Sequence, residues 1–68
     1  MSKIKVVING KDIELENVSN IEELLVARKV TGKMFAVEKN LDIIPKDKYD
    51  TKVKDGDVIE IVGFFGGG

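Results

Sequence analysis

The sequence predicts a small α+β domain, with one main helix laid over a mixed five-stranded sheet in the order ββαβββ. Three observations predict it. Two stretches of period-two hydrophobicity flank Asn9-Gly10, which reads as a hairpin. One amphipathic stretch, opening at Ile21 and closing near Gly32, carries helix start and stop signals. The most apolar strands lie at opposite ends of the chain, which suits two parallel neighbours at the centre of a sheet.

Lys3 to Asn9 is the first strand, because Ile4, Val6 and Ile8 alternate with Lys3, Lys5 and Val7. Asn9-Gly10 suits a type I′ turn, in which both central residues need positive φ. Lys11 to Glu16 returns, with Ile13 and Leu15 on one face and Asp12, Glu14 and Glu16 on the other. Two capping boxes can open the helix, Ser19 with Glu22 or Asn20 with Glu23. Glu22 and Glu23 suit the positive end of its dipole, and Arg28 and Lys29 the negative end. Ile21, Leu24 and Leu25, with Val26 as a further member, form the apolar stripe, and Gly32 is the expected left-handed cap. Met34 to Glu38 is the third strand, with Phe35 and Val37 on one face. Asn40-Leu41 turns the chain into Asp42 to Ile44, a short strand that Pro45 stops. Lys46 to Lys54 holds a turn of helix and a loop anchored by Tyr49 and Val53. After the Asp55-Gly56-Asp57 turn, Val58 to Val62 is the last strand, with Ile59 and Ile61 inward. This is the β-grasp arrangement, with residues 1–65 as the domain and 66–68 as a flexible glycine tail.

Composition narrows the function. A chain of 68 residues holds one domain, since two cores would leave about 35 residues each, below the ~40 that usually fold unaided. Eleven Lys plus Arg against twelve Asp plus Glu give a net charge of −1, so no basic field draws the chain to nucleic acid or an anionic membrane. The absence of Cys and His excludes disulfides, thiolate metal sites and the usual nucleophiles and general bases. No apolar run approaches the ~18 residues that span a bilayer, and no signal segment opens the chain, which points to the cytoplasm. A monomer is the simplest state. So small a core leaves little room for a deep enclosed site, which favours a binding or carrier role over an enzyme.

The last six residues, Gly63-Phe64-Phe65-Gly66-Gly67-Gly68, carry the most information. A glycine tail is extended and unencumbered, and five residues reach at most ~17 Å. Such a tail enters a channel too narrow for a side chain and presents an ionised carboxylate at its end. No residue of the chain can activate that carboxylate, and no phosphate-cradling loop is present. The chain then has no catalytic residue and no metal site of its own. Asp55 and Asp57 flank a turn glycine and read as turn residues, and Tyr49 as a loop anchor. Val7, Val58 and Val62 face away from the helix and, with Phe64 and Phe65, form a candidate partner-docking patch. One of the two phenylalanines packs and the other is exposed if the strand continues.

The ordered set of motifs resembles the β-grasp, ubiquitin-like sulfur-carrier family, most closely its thiamine-biosynthesis branch. The resemblance rests on Ile8-Asn9-Gly10-Lys11 and Ile21-Glu22-Glu23-Leu24-Leu25. It continues through Phe35-Ala36-Val37-Glu38-Lys39-Asn40 with Ile43-Ile44-Pro45, then Lys54-Asp55-Gly56-Asp57-Val58-Ile59-Glu60-Ile61-Val62, and ends on Gly66-Gly67-Gly68. Asn40-Leu41 and Phe64-Phe65 depart from the family pattern. The resemblance implies no bound cofactor. It implies an E1-like adenylating enzyme that uses ATP and magnesium to activate Gly68, a persulfide sulfur donor, and a Gly68 thiocarboxylate that thiazole synthase consumes. Gly66 and Gly67 would thread the enzyme's channel. Two other readings remain open at this point: a carrier for molybdopterin or tRNA thiolation, and a β-grasp interaction module whose glycine end does no chemistry.

Overall fold

The first and last strands meet side by side in parallel, so the sheet is built outward from the two ends of the chain. The computed structural model describes residues 3–30 and 34–63. The elements are β1 (Lys3–Ile8), β2 (Lys11–Glu16), α1 (Ile21–Ala27), β3 (Phe35–Lys39), β4 (Asp42–Ile44), a 3-10 turn (Lys46–Lys48) and β5 (Val58–Gly63). The sheet order is β2-β1-β5-β3-β4. β1 and β5 pair in parallel at Val7↔Val58 and Ile8↔Ile59, and the other neighbours are antiparallel. The predicted mixed sheet with its single main helix is therefore the observed one.

Alternation places one side chain in two under the helix. Val6, Ile8, Leu15, Val37, Ile59 and Ile61 from the sheet meet Ile21, Leu24 and Leu25 from α1. Ile21, Leu24, Val37 and Ile59 are wholly buried. Each such side chain contributes about 1.5–3 kcal/mol of transfer free energy. The segment after the 3-10 turn is tied to the start of α1: the N–H of Ile21 donates to Thr51, that of Glu22 to Tyr49, and that of Val53 to Ser19. Val53 is buried, and Tyr49 stacks on Phe35 at 6.4 Å between ring centroids, so both act as the anchors expected.

The helix opens on the second of the two predicted capping pairs and departs from expectation at its other end. Asn20 is the N-cap: its side chain accepts from the N–H of Glu23 at 2.8 Å. Glu23 reaches one residue further back than a capping box requires and accepts from the N–H and the Oγ of Ser19. At the other end α1 stops at Ala27, earlier than predicted, so Arg28 and Lys29 lie beyond its last turn. Lys29 (φ 58) takes the left-handed position expected of Gly32, which lies outside the described residues. Its N–H donates to Val26 and that of Val30 to Leu25, the paired bonds of a Schellman ending. Val30 then packs against the core, and that contact offsets a lysine in a left-handed conformation. Val26, placed by sequence in the apolar stripe, is 69% exposed, because seven helical residues turn only one narrow face inward.

Smaller differences follow the hydrogen bonds. β1 ends at Ile8 because Asn9 (φ 51) and Gly10 (φ 82) both take the turn. β3 starts at Phe35 and runs on to Lys39, and β5 runs one residue past Val62 to Gly63. Asn40 (φ 52) and Leu41 (φ 75) form a turn with two positive φ values although neither is glycine.

Candidate functional site

β5 is the central strand, and it leads directly into residues 64–68. Its inward residues, Ile59 and Ile61, lock it into the core. Its outward residues, Val58, Glu60 and Val62, lie on the face that no helix covers. Val58 faces Val7 on β1, and Val62 faces Ala36 on β3. Val58 and Val62 are exposed and Val7 is partly buried, so these three predicted patch residues share one open face. Phe64 and Phe65, the other predicted members, lie outside the described residues, as do Gly66, Gly67 and Gly68.

The register adds residues that alternation did not single out. Glu38 and Glu60 stand directly opposite each other on β3 and β5. Ile43, 71% exposed, faces Glu38 from β4. The open face therefore carries two facing carboxylates among Val58, Val62, Ala36 and Ile43. Like charges opposite each other disfavour strand pairing, so the sheet holds this pair on the strength of its core. The alternation of β3 and β5 could have placed both glutamates outward, but only the register sets them face to face.

Two asparagine side chains complete the backbone pairing of β5. Oδ1 of Asn9 accepts from the N–H of Ile61 at 2.8 Å, and its Nδ2 donates to the Ile61 carbonyl at 3.2 Å. The amide thus continues the parallel ladder after β1 has turned away. Across the strand, Oδ1 of Asn40 accepts from the N–H of Val58 at 2.9 Å, while Nδ2 donates to Asp57 at 3.1 Å. The sequence marks both asparagines as turn residues. Their short amides tolerate positive φ, and the turns aim them at β5.

The carboxylates of the Asp55–Asp57 turn have structural work. Asp55 accepts from the N–H of Lys5 at 2.7 Å. Asp57 accepts from the N–H of Lys54 and from Asn40, and it lies 3.8 Å from the Lys39 ammonium. Among the described residues no group of three or more acidic side chains gathers as a metal site. The two perturbed titrations among the described residues are also structural. The Ser19 N–H and hydroxyl hold the Glu23 carboxyl below its usual range. Burial, helped by Glu22, raises the Tyr49 phenol. Among the described residues no helix is long and apolar enough to cross a membrane.

The last described rung between β3 and β5 pairs Phe35 with Gly63. Gly63 has φ 145, a conformation side chains rarely adopt, and a Cβ there would collide with the Met34 carbonyl oxygen and lie 2.6 Å from the Phe35 Cα. The sequence places Gly63 within the domain just after the last predicted strand residue, Val62, and nothing local to it signals how closely β3 passes.

Comparison with known proteins agrees with this architecture. The model of the ThiS family matches residues 5–68. A thiazole synthase from Paramagnetospirillum magneticum is 44% identical over 66 residues, 96% of this chain; the chain spans only 20% of that relative's length. The sulfur carrier protein ThiS of Bacillus subtilis is 41% identical over 63 residues, covering 90% of this chain and 96% of that protein. The crystal structure of the thiamine biosynthesis protein ThiS from Geobacter metallireducens superposes with a TM-score of 0.80 at 36% identity, over 96% of this chain and 100% of that one.

Proposed function

The chain belongs to the ThiS family of sulfur carriers of thiamine biosynthesis, and on that premise we propose that Gly68 carries the sulfur as a terminal thiocarboxylate. The observation that carries this reading is the family match itself, which runs through Gly66, Gly67 and Gly68.

A carboxylate is a poor acyl donor because its leaving group would be an oxide. An E1-like enzyme removes that obstacle by adenylation: a Gly68 oxygen attacks the α-phosphorus of ATP, held with magnesium on that enzyme, and pyrophosphate leaves. Sulfur from a persulfide then attacks the acyl carbon, and AMP leaves. A thiol cleaves the resulting S–S bond and frees the thiocarboxylate. Thiazole synthase is the acceptor we propose, supported by the relative of that name whose sequence includes a stretch like this chain. The cycle runs in the cytoplasm, where ATP is at hand.

The chain's own part is mechanical. Gly66 and Gly67 have no side chain to obstruct a narrow channel. Val7, Val58 and Val62 lie on the open face and supply the docking surface in this reading, and Phe64 and Phe65 are its other proposed members. The partners supply the catalytic groups, so this chain acts as their co-substrate.

The test is intact mass after incubation with the cognate adenylating enzyme, ATP and a sulfur source. One oxygen-to-sulfur exchange per chain is expected, and none after deletion of Gly68, with thermal unfolding unchanged. No exchange, with an enzyme shown to work on another carrier, refutes the proposal. So does full biological function in a chain extended beyond Gly68, which is what an interaction module with an inert end would give.

A further inference from the structure

We propose that Gly63 is a positioning residue: it closes the last described rung between β5 and β3, immediately before residues 64–68, and so sets the point on the sheet from which the chain leads on to the reactive terminus. The inference rests on the carrier function proposed above.

Three glycines among the described residues have positive φ, and they are not alike. Gly10 and Gly56 sit in turns with open space where a Cβ would go. Gly63 sits in a strand, paired with Phe35, and its missing Cβ is where β3 passes. Two of the three atoms a Cβ would meet are backbone, the Met34 oxygen and the Phe35 Cα, and cannot rotate aside. β3 is also held from behind. The Phe35 ring stacks on Tyr49 with 14° between planes, and the Tyr49 carbonyl accepts the N–H of Glu22 at the start of α1. A side chain at position 63 therefore breaks the rung rather than displacing β3.

Without that rung the ladder ends at Ala36↔Val62. The last described residue of β5 held by β3 then lies one position earlier, a shift of ~3.4 Å along the strand. An enzyme that grips the domain by its open face and the terminus by its channel measures the distance between the two. Misplacing a reacting group by about 1 Å can cost ~100-fold in rate. A docked but misdirected terminus should lose turnover and keep its apparent affinity.

The experiment uses the full chain with its cognate adenylating enzyme and reads ATP–pyrophosphate exchange. Gly63→Ala is expected to lower kcat by about tenfold or more with KM within about twofold of wild type. Amide spectra should retain the Ile59 and Ile61 signals and lose exchange protection at the Gly63–Phe35 rung. Unchanged kcat with the rung demonstrably lost overturns the proposal. A raised KM with unchanged kcat also overturns it, by assigning position 63 to docking. If Gly63→Ala fails to fold, insertion of one glycine between Gly63 and Phe64 decides: the rung stays, the arm lengthens, and kcat falls if the departure point is set, whereas full kcat means a free tether and refutes the idea. Wild-type chain that supports no exchange sinks the carrier chemistry and this inference together; active wild type with an equally active Gly63→Ala sinks only this one.

Discussion

Replacing Asn9 by glycine tests whether a side-chain amide holds the end of the central strand. Glycine accepts the φ of 51 at this position, so the change removes the two bonds to Ile61 without turn strain. A net hydrogen bond is worth about 0.5–1.5 kcal/mol, so the two bonds contribute about 1–3 kcal/mol. The greater freedom of glycine in the unfolded chain adds roughly 0.5–1 kcal/mol. The sum, about 1.5–4 kcal/mol, is a large share of the stability of so small a domain. At about 4–8 °C per kcal/mol, Tm should fall by at least ~6 °C. Urea unfolding followed by circular dichroism gives the midpoint, and an unchanged m-value shows that the surface exposed on unfolding is the same in both chains. Asn9→Asp is the companion variant. It keeps an acceptor for the Ile61 N–H but sets a second acceptor against the Ile61 carbonyl, so it should also destabilise at neutral pH. If both variants unfold within about 0.5 kcal/mol of wild type, the amide does not serve as a ladder rung and the reasoning fails.

Leu41→Gly should stabilise the protein. Leu41 is 88% exposed at φ 75, so little burial is lost, and relief of left-handed strain worth about 1–2 kcal/mol exceeds the ~0.5–1 kcal/mol entropic cost of glycine. A lower urea midpoint would contradict this. The Glu23 carboxyl is held below the ordinary value of a glutamate in the folded chain, so its contribution is present above that ordinary value and lost as pH falls through the lower folded one. Unfolding measured from pH 7 to pH 3 should show that loss, and Glu23→Gln should flatten it; identical acid profiles would remove Glu23 as the cause.

Signals that act over a few residues survived into the structure. Asn9-Gly10 became a turn with two positive φ values, and Asp55-Gly56-Asp57 became a turn whose carboxylates cap nearby backbone N–H groups. Alternation sorted Ile59 and Ile61 inward and Val58 and Val62 outward. The helix ends before Gly32 because packing Val30 on the core requires the reversal at Lys29, three residues earlier. Local propensity offered the glycine, and burial chose the lysine.

The amino-acid order by itself determined which residues bend, which faces are apolar, and that three glycines follow Phe65, because these properties belong to neighbours along the backbone. The tertiary structure alone decided what stands across from what: Asn9 against Ile61, Glu38 against Glu60, and Gly63 against Met34 and Phe35. Strand register is settled by the sum of all core contacts, and a slip of one residue would turn every side chain of a strand to the other face. No stretch of the chain shorter than the whole sheet contains that information.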